Sequence, residues 1–595
     1  MGDDTLAQMF WARVEQSGSR PAQQSKRAGN WTVLSWREVG EIVREVALGL
    51  LALGRKPDEA VAILSATRPE WVQADFAAFS AGARTIPIYP TYPSDLVQYI
   101  VNDGEVRTLV VEDPVQLAKV RVARASMPGL EQIVVIQGYE GTEPGVLTWE
   151  GLRRLGRDSA EKLGVELARR IAARQPGDVA TIVYTSGTTG PPKGVVQTHR
   201  NHMAVLGSSE QTLRIAEGEM HLLFLPLAHS FGRLESFAGV HRGLTTAFAE
   251  SIDRLAQNLP EVRPHFICGV PRVFEKVYAS VMARGESGSP LQRRIFRWAL
   301  DVGRRVSSLR QSGRPVPAAL RVEHGVADRL VFARMRTALG GRLRFAISGG
   351  APLSREIAEF FHAAGILILE GYGLTETCPS LTSNREDNFR FGSVGRAQPG
   401  VELKVAPDGE ILARGANIAR GYLNKPEATR EVFLADGWFA TGDIGRIDAD
   451  GFLYITDRKK DLIVTAGGMN IAPQNIENVL KGDPFVSQVM VHGDRRPYPV
   501  ALITLNPEEL AKFAREQGLA VTDAATLVKH PRVIERVGRI VEERNAALQS
   551  YAKIKKFAIL PEDFTVDNGC LTPTLKVKRR VIAEANRALL DSLYR

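Results

Sequence analysis

Thr185-Ser186-Gly187-Thr188-Thr189-Gly190-Pro191-Pro192-Lys193-Gly194 follows an apolar run at 179–184. The run reads as a buried strand, and a loop of hydroxyls, glycines and one lysine opens from its end. Glycines let backbone N–H groups come close to an anion. The hydroxyls donate, and Lys193 adds a point charge. That chemistry suits a polyphosphate. A Walker A loop is excluded, because Lys193 follows proline and precedes glycine rather than Ser or Thr. A generic Gly/Ser/Thr turn is the competing reading for any one loop of this kind.

Working outward, a second run at 366–369 leads into Gly371-Tyr372-Gly373-Leu374-Thr375-Glu376-Thr377. A strand end followed by such a loop is where α/β folds bind ligands. Tyr372 offers a ring to a purine, and Thr375 a donor to the α-phosphate. Glu376 offers the hard oxygen that Mg²⁺ takes beside substrate phosphates. Trp438-Phe-Ala-Thr-Gly-Asp443 sets a carboxylate after a turn, where it can accept two hydrogen bonds from a ribose diol. Taken singly, each is also readable as a polar turn.

The loop at 185–194 resembles the signature of the adenylate-forming superfamily of acyl-CoA synthetases, luciferases and peptide-synthetase adenylation domains. The later motifs follow in that superfamily's order, so the resemblance spans nearly the whole chain. It implies an α/β fold: a large N-terminal adenylate-forming domain with mixed sheets and a strand-rich subdomain, then a small mobile α+β C-terminal domain. The boundaries expected are 1–456, a hinge at 457–461 and 462–595. The resemblance assigns nucleotide contacts to Thr185, Ser186, Gly187, Thr188, Thr189, Gly190, Lys193, Gly371, Tyr372, Gly373 and Asp443, and places the metal on Thr185 and Glu376. Gly350 and Ala351, in Ser348-Gly-Gly-Ala-Pro352, flank the adenine and the acyl pocket. Arg458 joins Asp443 on the ribose, and Lys460 is the pivot within Asp457-Arg-Lys-Lys-Asp461. Gly467 and Gly468 line a tunnel for the pantetheine arm of coenzyme A. His229, in Leu225-Pro-Leu-Ala-His-Ser-Phe-Gly232, gates the carboxylate end of the acyl site; a satisfied core histidine is the alternative. The last motif, Leu571-Thr-Pro-Thr-Leu-Lys-Val-Lys-Arg-Arg580, carries the adenylation lysine at Lys576. The commoner family form has glycine before that lysine, whereas Leu575 stands here, so Lys578 remains a rival.

The bulk properties agree with a multidomain enzyme. The 595 residues are 44% hydrophobic and 24% charged, ordinary for a globular chain. No apolar run reaches the roughly 18 residues of a membrane span. The start of the chain lacks a signal-peptide pattern. Cys268, Cys378 and Cys570 are scattered, which fits a reducing cytoplasm. A net charge of +9 favours anionic partners. Residues 275–340 are Arg-rich, with Phe274, Val277, Tyr278 and Val281, then Ile295, Trp298, Ala299 and Val302, at helical spacing. They read as amphipathic helices with a solvated face, or as a contact with the inner face of a membrane. No basic stripe interleaved with aromatics points to nucleic acid. Around 391–455, short strands and Gly/Asp turns predict hairpins.

The expected activity is ATP-dependent ligation of a long-chain fatty acid to coenzyme A through an acyl-adenylate, with ATP, Mg²⁺ and CoA required. Gly269-Val-Pro-Arg272-Val-Phe-Glu-Lys276 and the basic helical segment after it resemble long-chain acyl-CoA synthetases. A fatty acyl-AMP ligase, an acyl carrier protein loading enzyme, a ligase for a shorter or aromatic acid, and a non-enzymatic nucleotide sensor are the alternatives.

Overall fold

The computed structural model describes residues 4–595 apart from 186–190, 467–468, 520–522, 547 and 573–576. Two large mixed sheets dominate the first three quarters of the chain. In the eight-stranded sheet, Ala60–Leu64 pairs in parallel with Arg84–Ile88 on one side and Val106–Val111 on the other. These strands are almost wholly buried, as expected where helices cover both faces of a parallel sheet. Val179–Thr185 joins the same sheet beside Arg84–Ile88 and turns back antiparallel into Lys193–Thr198. Gly421–Tyr422 closes that edge. In the nine-stranded sheet, Met220–Leu223, Phe266–Gly269, Phe345–Ser348 and Leu367–Tyr372 run parallel to one another.

A buried ion pair ties two helices to the eight-stranded sheet. Arg233, on the helix Ser230–Arg242, donates through one terminal nitrogen to both carboxylate oxygens of Asp75 at 2.7 Å. It also reaches Thr85 at 3.0 Å and Thr181, on two strands of the eight-stranded sheet. Trp71, Phe79 and Phe237 surround the guanidinium. Arg233 and Asp75 are each 1% exposed.

The hairpins expected around 391–455 form a four-stranded antiparallel sheet of Val401–Val405, Glu410–Gly415, Phe439–Ile447 and Leu453–Arg458. Gly451, at φ 82°, makes the turn before Phe452. The last part of the chain has its own core, with helices on a three-stranded sheet of Val486–His492, Val500–Leu505 and Lys556–Ile559.

The basic segment is helical as expected: Pro271–Glu286, Pro290–Gln311 and Ala318–Ala327, followed by a π-helical turn Asp328–Phe332. One expectation is corrected. Trp298 faces outward and Phe296 is buried in its place, on a row with Ala299, Leu300, Val302, Gly303 and Val306. Among the described residues, no helix is long and apolar enough to cross a membrane. Cys268, Cys378 and Cys570 are unbonded thiols.

Candidate active site

The site grows from the hairpin that carries the first motif. Thr185 and Lys193 face each other in register across the strands, and the Thr185 hydroxyl donates to the Lys193 carbonyl at 3.5 Å. Ser186, Gly187, Thr188, Thr189 and Gly190 lie outside the described residues. Gly194 is required, since a Cβ there would come within 2.8 Å of the Ile182 side chain. The Lys193 ammonium lies 4.9 Å from the ring centre of Tyr422. The Tyr422 hydroxyl donates to Glu376 Oε1 at 2.8 Å. One line therefore runs from the loop lysine through an aromatic ring to the metal-candidate carboxylate. Burial, with Glu376 adding to it, pushes the Tyr422 phenol up, so it stays a donor.

The strand Leu367–Tyr372 continues through Gly371 to Tyr372, three residues past the apolar run. Both pair with Thr382–Ser383, which extends the strand into the motif. The chain then turns at Gly373, where a Cβ would sit 1.7 Å from the Pro379 carbonyl oxygen, so only glycine fits. A single 3₁₀ turn, Thr375–Thr377, presents Thr375 and Glu376. Two contacts from elsewhere in the chain fix it: Gln197 Nε2 donates to the Thr375 carbonyl at 2.6 Å, and the Ala419 N–H to the Glu376 carbonyl at 2.8 Å.

Tyr372 anchors a second cluster. Its hydroxyl donates to Asp443 Oδ2 at 2.6 Å, and Arg458 Nε lies 3.0 Å from Asp443 Oδ1. Asp443 and Arg458 are direct partners across two antiparallel strands. Asp443 is buried, and its charge holds the Arg458 guanidinium above its ordinary pKa. Burial, with Asp443 beside it, pushes the Tyr372 phenol well up. The two residues expected at the ribose are thus brought together, with Tyr372 as a third member.

On the acyl side, the Gly349 backbone and His229 both contact Phe231. Gly349 packs close to Phe231, since a Cβ there would lie 3.2 Å from its ring. Gly350 follows in the left-handed region at φ 83° and leads to Ala351. His229 caps the helix Ser230–Arg242, its Nδ1 accepting from the Phe231 N–H at 3.2 Å. All these segments leave the C-terminal ends of parallel strands, where α/β sheets bind ligands.

At the expected hinge, Asp457 and Arg458 are the last two residues of the strand Leu453–Arg458. Asp457 is 1% exposed. Its carboxylate accepts from the N–H groups of Arg458 and Gln474. Burial pushes its pKa up to about 6. Lys459 pairs with Asp408 and Glu410, and Lys460 is exposed. Gly467, Gly468 and Lys576 lie outside the described residues. The rival Lys578 precedes the helix Arg579–Ala585, and its N–H donates to the Cys570 carbonyl at 2.8 Å. Arg579 is tied to Glu477 on the helix Pro473–Lys481, the same helix that offers Gln474 to Asp457. The last motif and the expected hinge therefore rest on one helix.

Sequence reasoning missed Tyr422, Gln197 and Asp457's burial. Tyr422 stands in a two-residue edge strand, too short for periodicity to mark. Its importance comes from pairing with Val195, two residues from Lys193, which sets its ring by Lys193 and its hydroxyl on Glu376.

Residues 10–423 match the model of the AMP-binding enzyme family, and residues 460–595 match that of the AMP-binding enzyme C-terminal domain. The chain is 39% identical to the long-chain-fatty-acid–CoA ligase FadD15 of Mycobacterium bovis over 99% of this chain and 97% of that one. It is 33% identical to the long-chain-fatty-acid–CoA ligase ACSBG2 of Xenopus laevis, over 99% of this chain and 84% of that one. The anthranilate CoA ligase AuaEII, solved with anthranoyl-AMP, shares the fold with a TM-score of 0.75 at 21% identity, covering 99% and 98% of the two chains. With both family models matched in order and relatives similar along almost their full length, this chain belongs to the AMP-binding enzyme family.

Proposed function

We propose that this protein activates a long-chain fatty acid with ATP and passes the acyl group to coenzyme A, releasing pyrophosphate and then AMP. One observation carries the reading. The short stretch 371–376 joins two clusters, Lys193–Tyr422–Glu376 and Tyr372–Asp443–Arg458. A triphosphate on the first and a ribose on the second are the two ends of one nucleotide. The names of its relatives supply the acid and the thiol.

The donor set suits magnesium. Among the described residues, no group of three or more His, Cys, Asp or Glu is arranged to hold a metal. Glu376 is a lone half-buried carboxylate whose Oε1 already accepts from Tyr422. One protein carboxylate completed by phosphate oxygens and water is magnesium chemistry; Glu376, with Thr185, would hold it. When bound, the ion neutralises part of the triphosphate charge.

A carboxylate is a poor acyl donor because its leaving group would be oxide. In the first half-reaction the fatty acid carboxylate oxygen attacks the α-phosphorus in line, and pyrophosphate leaves. Several anionic oxygens converge there, so positioned cations and donors dominate the catalysis. Lys193 and the loop hydroxyls hold the β- and γ-phosphates. Thr375 donates to the α-phosphate, and Lys576 bridges that phosphate and the attacking carboxylate. His229, Gly350 and Ala351 shape the acyl entrance. Asp443 and Arg458 hold the ribose. The smaller domain, 462–595, then pivots at 457–461 about Lys460. This withdraws Lys576 and brings Gly467 and Gly468 to the pantetheine arm. The thiol sulfur attacks the acyl carbonyl, its proton is lost, and AMP leaves. The protein works as a peripheral enzyme at the inner face of a membrane.

The direct test is exchange of labelled pyrophosphate into ATP. We expect exchange only with a long-chain fatty acid present, and acyl-CoA formation on adding CoA. A folded, ATP-binding protein that exchanges with no carboxylic acid overturns the proposal. Asp443→Ala tests the nucleotide end. Losing hydrogen bonds to a charged acceptor costs about 2–3 kcal/mol, so the KM for ATP should rise roughly 30- to 150-fold. The KM for fatty acid should change by less than about threefold. Equal changes in both would remove Asp443 from the ribose.

A further inference from the structure

The basic helical segment is not used by the chemistry above. Residues 290–344 hold thirteen arginines, no lysine and three acids, a net charge of +10. The whole chain carries +9, so the other 540 residues together carry −1. The protein's positive charge is thus one local feature. Two of the three acids are already neutralised, Glu323 by Arg305 and Asp328 by Arg336.

The pair Arg305–Glu323, at 3.4 Å, fixes how the helices Pro290–Gln311 and Ala318–Ala327 face each other. Helical spacing puts Leu291, Arg294 and Trp298 on the row of Arg305, and Val326 and Leu330 on the row of Glu323. These apolar side chains are exposed: Leu291 67%, Trp298 36%, Val326 47% and Leu330 41%, with Val322 beside them at 70%. Arg293, Arg294 and Arg297 line an open groove with Pro290 and Trp298. Arg321 and Arg329 flank the second row and are exposed.

We infer that this two-helix face is where the protein lies on an anionic lipid bilayer. The inference rests on the peripheral reading above and adds the surface. Guanidinium groups grip phosphate in pairs of hydrogen bonds. Tryptophan seats at the boundary of headgroup and acyl chain, and leucine and valine enter below it. Nucleic acid would meet the arginines but offers nothing to Leu291, Val322, Val326 and Leu330, so a bilayer fits better.

The test is co-sedimentation of the full chain with vesicles of phosphatidylcholine, plain or with about one-third phosphatidylglycerol. The wild type should pellet with the anionic vesicles and not with the neutral ones. The variant carrying Arg293→Gln, Arg294→Gln, Arg321→Gln and Arg329→Gln should bind at least about 100-fold more weakly. Its pyrophosphate exchange in detergent solution should be unchanged, which shows that it folds and keeps the ligase reading separate. Brominated lipid should quench the wild type, and Trp298→Phe should remove that quenching. If the wild type pellets with neither vesicle, both the peripheral reading and this face are wrong. If the variant pellets like the wild type, the face alone is wrong. Tighter binding to duplex DNA than to anionic vesicles overturns the lipid assignment.

Discussion

Lys576→Ala is expected to abolish adenylate formation and to leave thioester formation from supplied acyl-adenylate intact. The two half-reactions differ in charge. Attack on the α-phosphate brings an anionic carboxylate against anionic phosphate oxygens, and a cation touching both offsets that repulsion. Attack of the thiol on the acyl carbonyl has no such need. Removing one positioned donor of this kind costs roughly 3–4 kcal/mol of transition-state stabilisation, or about 10²- to 10³-fold in rate. Pyrophosphate exchange measures the first step, and CoA thioester formation from synthetic acyl-adenylate measures the second. Lys578→Ala should change both by less than about threefold. Lys578 is fixed at the start of a helix whose next residue, Arg579, is anchored on Glu477. If Lys578→Ala causes the selective loss, the adenylation lysine lies two residues further on.

The second large effect is on stability. Arg233→Met should destabilise the N-terminal part by about 3–5 kcal/mol. The substitution leaves Asp75 with no cationic partner, and burial already pushes its carboxyl up despite Arg233. Thr85 and Thr181 also lose their donor. Urea unfolding followed by tryptophan fluorescence measures the change. The double variant Asp75→Leu with Arg233→Met should recover most of the loss, because apolar replacement of both members removes the buried charge altogether. If the double variant is as unstable as Arg233→Met, packing around Trp71, Phe79 and Phe237 is the cause rather than the ion pair.

Some features were legible because their meaning is local. The strand at Val179–Thr185, the turn at Gly451 and the helices of the basic segment follow from composition and period over a few residues. The phosphate loop and the Gly371–Glu376 motif carry their chemistry in consecutive positions. Asp443 and Arg458 were legible only through the family resemblance, and the structure adds that they are strand partners. Trp298 defeated the periodicity argument because Ile295, Phe296, Trp298 and Ala299 offer two overlapping apolar rows. Neighbouring helices buried the row with Phe296.

The order of motifs along the chain by itself determined the fold, the nucleotide and the class of reaction, because phosphate-binding loops and strand ends are built from neighbouring residues. Only the tertiary structure decided that Tyr422 stands between Lys193 and Glu376, that Tyr372 holds Asp443, that Asp457 is buried, and that Arg233 finds Asp75 across 158 positions. Those contacts join residues far apart in sequence. Their energies depend on burial and distance, which no local pattern encodes.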